Sequence, residues 1–148
     1  MVRRSRITVA AVLLTALVCS CTTAPSKGPP DNIWDDVYTE AQAERGARNY
    51  KENCESCHAA NMRGGPGVKA VVGLEFRYLW DGRNLGELYD YMRINMPPGR
   101  AGLLTDQEYV DVLTAILRGN DIPAGGTNAL TPDHKLLDGI KINWEKPE

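Results

Sequence analysis

Cys54-Glu55-Ser56-Cys57-His58 is the stretch that decides how this chain is read. Two thiols three positions apart share one helical turn, and an imidazole directly follows the second. That is the attachment pattern of c-type haem. Each thiol can add across one porphyrin vinyl group, and the histidine then lies beneath the iron as proximal ligand. Three other uses stay open. A thioredoxin-like redox pair belongs with a βαβ pattern, and none is visible around the motif. A zinc site needs more ligands, and His134 is the only other Cys or His after Cys21. A structural disulfide would use both cysteines and leave His58 unexplained.

Working outward, Thr39 and Gln42 form a capping-box pattern that opens a helix toward the motif. Ala43, Ala47, Tyr50, Cys54 and Cys57 follow on one face at helical spacing. Gly46 inside that helix costs about 1 kcal/mol relative to Ala, so its expected use is a flat spot where another helix crosses closely. Asn84 and Glu87 cap a second helix with the apolar stripe Leu85, Leu88, Tyr89 and Met92. It stops near Asn95, because Pro97 disfavours helical geometry at Met96. Thr105 and Glu108 cap a third helix, with Tyr109, Val112, Leu113, Ile116 and Leu117 on one face and Gly119 expected as the residue that ends it. Thr131-Pro132 is expected to open one short extra turn, with Pro at the first helical position. No segment alternates like a strand. The expected fold is all-α, over residues 39–122, with a loose extension at 123–148. About 80 residues make a marginal core that often needs a staple, and the Cys-x-x-Cys-His site is the candidate.

The 148 residues carry 17 Lys plus Arg against 19 Asp plus Glu, a net charge of −2. With no basic block to meet phosphates, a strongly basic nucleic-acid binder is excluded. Residues 1–20 read as a secretory signal: Arg3, Arg4 and Arg6 precede a 12-residue apolar stretch from Ile7 to Val18, too short for an ordinary membrane span. Val18-Cys19-Ser20-Cys21 resembles the bacterial lipobox, and that resemblance implies lipidation of Cys21. Residues 21–38, with Pro25, Ser26, Gly28, Pro29 and Pro30, then read as a tether that holds the domain off a membrane. Processing removes three of the 17 basic side chains and none of the 19 acidic ones, which leaves −5. Cys54 and Cys57 remain, in an oxidising compartment where unprotected thiols pair.

Residues 39–122 resemble a class I, mono-haem cytochrome c. The matching pieces are Gly46-Ala-Arg-Asn-Tyr50, the haem motif, Gly65-Pro66-Gly67, Trp80 through Leu88, Asn95-Met96-Pro97-Pro98-Gly99 and the helix from Thr105 to Asn120. The stretch from Leu85 to Asn120 is similar to cytochromes serving periplasmic quinoprotein dehydrogenases. The resemblance implies a small cytochrome c fold, its N- and C-terminal helices crossing around one covalent haem c. It also implies Cys54 and Cys57 as attachment points and His58 as one axial ligand.

Three methionines compete for the other axial position. Met62 lies only four residues past His58, and Met92 belongs to an apolar stripe. Met96 sits just beyond its helix, held by Pro97 and Pro98. In the family resembled, a Met-Pro pair at this place supplies the ligand, which points to Met96. His134, between Asp133 and Lys135, reads as a surface side chain. The imidazole of His58 needs its second nitrogen fixed; the resemblance assigns that to a Pro carbonyl, matched by Pro66. Arg77, Trp80 and Arg83 are the nearest donors by position for haem propionates, and Tyr50, Gly46 and Tyr109 are expected at the helix crossing.

The function implied is electron transfer rather than enzyme catalysis. Electrons would pass from a dehydrogenase or quinol-oxidising complex to an oxidase or another cytochrome, in the periplasm, with the protein lipid-anchored to a membrane. The alternatives are a haem sensor or enzyme with an open sixth position, a fixed subunit of a dehydrogenase complex, and a haem-free lipoprotein with a disulfide.

Overall fold

The Thr39 hydroxyl accepts the Gln42 amide and opens α1 (Glu40–Asn53), as its spacing predicts. In the computed structural model, which describes residues 28–148, five more helices follow. They are α2 (Glu55–His58), α3 (Leu74–Trp80), α4 (Leu85–Asn95), α5 (Asp106–Gly119) and α6 (His134–Gly139). The signal segment 1–20, Cys21 and the first part of the tether lie outside the described residues. Complete capping boxes start α4, from Asn84 and Glu87, and α5, from Thr105 and Glu108. Among the described residues the chain is helical without strands, the expected all-α class, and no helix is long and apolar enough to cross a membrane.

The core forms where α1 crosses α5. A Cβ at Gly46 would lie 1.8 Å from the Asp111 carbonyl oxygen and 3.2 Å from the Ala115 Cβ, so only glycine permits the approach. Beside this contact the buried Asp111 carboxylate accepts bonds from Gln42 Nε2, Arg45 Nε and Gln107 Nε2, each at 2.9 Å. A buried carboxylate needs such partners to offset its lost hydration. The Tyr109 hydroxyl turns toward the loop between α4 and α5, donating to the Met96 carbonyl.

Two boundaries differ from expectation. The tether ends earlier, because Ile33, Val37 and Tyr38 are fully or nearly fully buried. The segment after residue 122 is not loose either. Leu130, Leu137, Ile140 and Ile142 lie in the core at 2 % exposure or less. Gln42 fixes Leu130 through both backbone groups, accepting its N–H at 2.7 Å and donating to its carbonyl at 2.8 Å. Residues 140–142 thread between residues 31–33 and 82–85, bonded on both sides: Lys141 N–H to Asp31 O at 2.8 Å and Ile142 N–H to Arg83 O at 2.8 Å are two of the links. The apolar area recovered there enlarges a core that residues 39–122 alone would leave small.

Two helix ends also differ. Gly119 is the last helical residue, Asn120 is the cap, and Asp121 takes the left-handed backbone with φ 69°. A Cβ at Gly119 would meet the Met62 sulfur at 2.8 Å and the Val72 side chain at 3.0 Å. Asp133, not Thr131-Pro132, caps α6 by accepting the Lys135 amide.

Candidate functional site

α1 stops at Asn53, and the Cys-x-x-Cys-His motif forms its own single turn, α2. Cys54 bridges the two helices as the cap of both, its N–H donating to Tyr50 O at 2.8 Å. Cys54 is half-buried against the core and Cys57 exposed, and neither is in a disulfide. Burial, and then the neighbouring Cys57, push the Cys54 thiol up to about 11. A raised thiol is the reverse of the depressed thiolate on which Cys-x-x-Cys redox catalysis depends. Among the described residues no group of three or more His, Cys, Asp or Glu converges as a metal cage.

His58 Nδ1 lies 2.9 Å from the Lys69 carbonyl oxygen. A carbonyl only accepts, so Nδ1 carries the proton and Nε2 presents its lone pair outward, as a ligating imidazole requires. The carbonyl expected from Pro66 therefore comes from Lys69. Pro66 is exposed at the tip of the turn from Gly65 to Val68, which brings Lys69 back alongside His58. The chain leaves α2 at Ala59, with φ 62°, and the Tyr50 hydroxyl pins that exit by donating to Ala59 O at 2.8 Å. Burial holds the Tyr50 phenol well above its usual range, so it stays a donor.

Met96 caps α4, half-buried, at the start of a loop built from two turns: Arg100 N–H to Pro97 O at 2.9 Å and Leu103 N–H to Arg100 O at 3.1 Å. Gly99 and Gly102, each third in its turn, supply the positive φ, 76° and 73°. Met92 is buried in the core, as its stripe predicts, and Met62 packs against Val72 and Gly119 at the end of α5. α5 is the common partner, packed on α1, which leads to the motif, and on α4, which ends at Met96.

Of the three expected propionate donors, Trp80 and Arg83 lie together and Arg77 is engaged elsewhere. Arg77 Nη2 donates to Asn120 O at 2.7 Å and Asp121 Oδ2 at 2.8 Å, and its guanidinium lies over Trp144, so it braces α3 against the end of α5. Trp80 is buried edge-on to Tyr91, with the Arg83 guanidinium 5.2 Å over its ring. His134 is half-exposed, 3.6 Å from Asp90 and edge-on to Tyr89.

Several large apolar side chains stay exposed, as surface that an apolar group could cover. Leu74, Tyr78 and Leu79 on α3, Tyr91 and Ile94 on α4, and Leu103 in the loop are large apolar side chains left exposed, Leu74 at 86 % and Tyr78 at 89 %. With two free thiols on one turn and an oriented imidazole, this donor set fits a covalently attached porphyrin.

The contributions of Lys69, Tyr50 and Tyr109 were not expected at the sequence level. Lys69 acts through a backbone carbonyl, which leaves no trace in side-chain chemistry. Comparison with protein families matches residues 41–114 to the family described as Cytochrome C oxidase, cbb3-type, subunit III. Comparison with curated proteins and with solved structures gave no match.

Proposed function

Because this chain belongs to the cbb3-type cytochrome c oxidase subunit III family of c-type cytochrome domains, we propose that it is a tethered periplasmic carrier of single electrons. Covalently bound haem c and electron transfer come with the family. The tether, the partners and the residue roles are the further reading.

Cys54 and Cys57 would hold the porphyrin as thioethers, which would take the exposed Cys57 out of disulfide chemistry. His58 Nε2 and the Met96 thioether would serve as the iron ligands. When bound, the haem would supply a one-electron ferric/ferrous couple, whose potential a thioether ligand raises relative to stronger donors. With both protein donors engaged, electron transfer would be favoured over oxygen chemistry. The Lys69 carbonyl keeps Nε2 free and aimed, Trp80 and Arg83 serve the propionates, and Arg77 braces the helix that carries Trp80. The lipid on Cys21 keeps the domain at a membrane. Its donor is a dehydrogenase or quinol-oxidising complex and its acceptor an oxidase or another cytochrome. The observation that carries this reading is His58, locked in the ligating tautomer one residue after two unpaired thiols.

The test is a reduced-minus-oxidised and pyridine haemochrome spectrum of the full chain, purified from cells able to mature c-type cytochromes. A haem that resists acid–acetone extraction is expected; a colourless protein refutes the reading. Met96→Leu should abolish the weak red band of thioether–iron bonding and Met92→Leu should keep it, while the opposite pattern moves the ligand to Met92. Fatty-acid labelling that is lost in Cys21→Ser tests the anchor, and unlabelled wild type refutes it.

A further inference from the structure

The loop from Met96 to Gly102 is held at both ends by one atom of another helix. The Tyr109 hydroxyl donates to the Met96 carbonyl at 2.7 Å and accepts the Gly102 amide at 3.0 Å. The ring stands in the first turn of α5, 2 % exposed, so the hydroxyl has little freedom to move. Among the described residues, no other hydrogen bond joins residues 97–103 to a different element; the remaining ones close the two turns within the loop. The stem is independently fixed, since Arg93 at the end of α4 pairs with Asp106 at the start of α5 at 3.0 Å.

We propose that Tyr109 is a positioning residue for the axial ligand: its hydroxyl staples the loop shut and so holds the Met96 thioether in place. The inference rests on the reading of Met96 as ligand. A thioether is a weak donor on a side chain with three rotatable bonds, so its hold on a metal depends on how firmly its backbone is placed. Releasing the Met96 carbonyl and the Gly102 amide together frees both ends of the loop at once.

Tyr109→Phe keeps the buried ring and removes only the staple. Two readouts are needed on the holoprotein: amide hydrogen exchange across residues 97–103, and titration of the ferric protein with imidazole, which competes with the thioether. With one hydrogen-bonding hydroxyl lost, exchange at Gly102 should rise about tenfold and the apparent Kd for imidazole should fall about tenfold. Ile140→Val, a packing change remote in the chain, should lower global stability and leave both readouts unchanged. Wild-type exchange at Gly102 in Tyr109→Phe overturns the staple. Faster exchange with unchanged imidazole affinity overturns the positioning role. A change of imidazole affinity in Ile140→Val equal to that in Tyr109→Phe also overturns it, because any loss of stability would then suffice. Met96→Leu is the separate control: if the red band survives there, the ligand assignment fails and the proposal with it. If the band is lost there while Tyr109→Phe behaves as wild type, the staple alone fails.

Discussion

Gly46→Ala sets two effects of known size against each other. In an isolated helix the change is favourable by about 1 kcal/mol, because alanine loses less backbone entropy. At the crossing it is not. The new Cβ would sit 1.8 Å from the Asp111 carbonyl oxygen, and since real Cβ contacts essentially never fall below 3.0 Å, α1 and α5 must part by about 1.2 Å at least. Backbone shifts forced by overpacking cost about 1–3 kcal/mol, and a clash with backbone rather than a flexible side-chain tip belongs at the upper end. The separation also stretches the bonds from Gln42 and Arg45 to Asp111. The net expectation is a loss of about 2 kcal/mol. In urea unfolding of the holoprotein followed by far-UV circular dichroism, that lowers the midpoint by about 1 M at unchanged slope. Gly139→Ala is the control, because nothing lies within 4 Å of a Cβ there, and its midpoint should not fall. A Gly46→Ala protein as stable as wild type would refute the close crossing as the reason for glycine.

Three other outcomes follow from the same structure. Ile140→Ala should cost about 2–5 kcal/mol in the same urea assay, as for any fully buried aliphatic, although the residue lies outside the 39–122 segment; a cost below 0.5 kcal/mol, the usual surface value, would restore the loose extension. Burial pushes Tyr38 and Tyr89 up to about 12 from their ordinary 10, Tyr89 with help from Asp106. Folding thus favours the neutral phenols, a contribution fully present below pH 10 and lost as pH rises through about 12. Thermal unfolding across that window should decline in wild type and decline less in Tyr38→Phe, and equal slopes would contradict it. The acidic surplus, −2 for the whole chain and −5 under the proposed processing at residue 20, predicts electron exchange with a partner bearing a basic patch that slows as salt is added. Rates flat from low to high ionic strength would refute that docking mode.

Local chemistry was legible wherever a few adjacent residues decide the outcome. The caps at Thr39, Asn84 and Thr105 each bond to the amide three positions away, so spacing alone locates the starts of α1, α4 and α5. α3 gave no such sign. Its seven residues are under two turns, Gly73 offers no side-chain cap, and its helicity rests on burying Phe76 and Trp80 one turn apart. The C-terminal segment is hard to read from sequence for a related reason. Leu130, Leu137, Ile140 and Ile142 follow no single period, because they belong in turn to a loop, a short helix and an extended stretch bonded to two distant segments.

The candidate site divides the same way, and the division explains which roles needed coordinates. Cys54, Cys57 and His58 declare themselves because one helical turn brings their side chains together whatever surrounds it. Support for them comes from the backbone: Lys69 O on His58, Ala59 O under Tyr50, Met96 O under Tyr109. Every residue has a carbonyl, so nothing in composition distinguishes the one that matters. Tyr109 shows the consequence most clearly. Its place on the apolar face of α5 fits either the helix crossing or the ligand loop. The hydroxyl takes the second: the loop after Met96 offers a carbonyl and an amide that one phenol oxygen satisfies together.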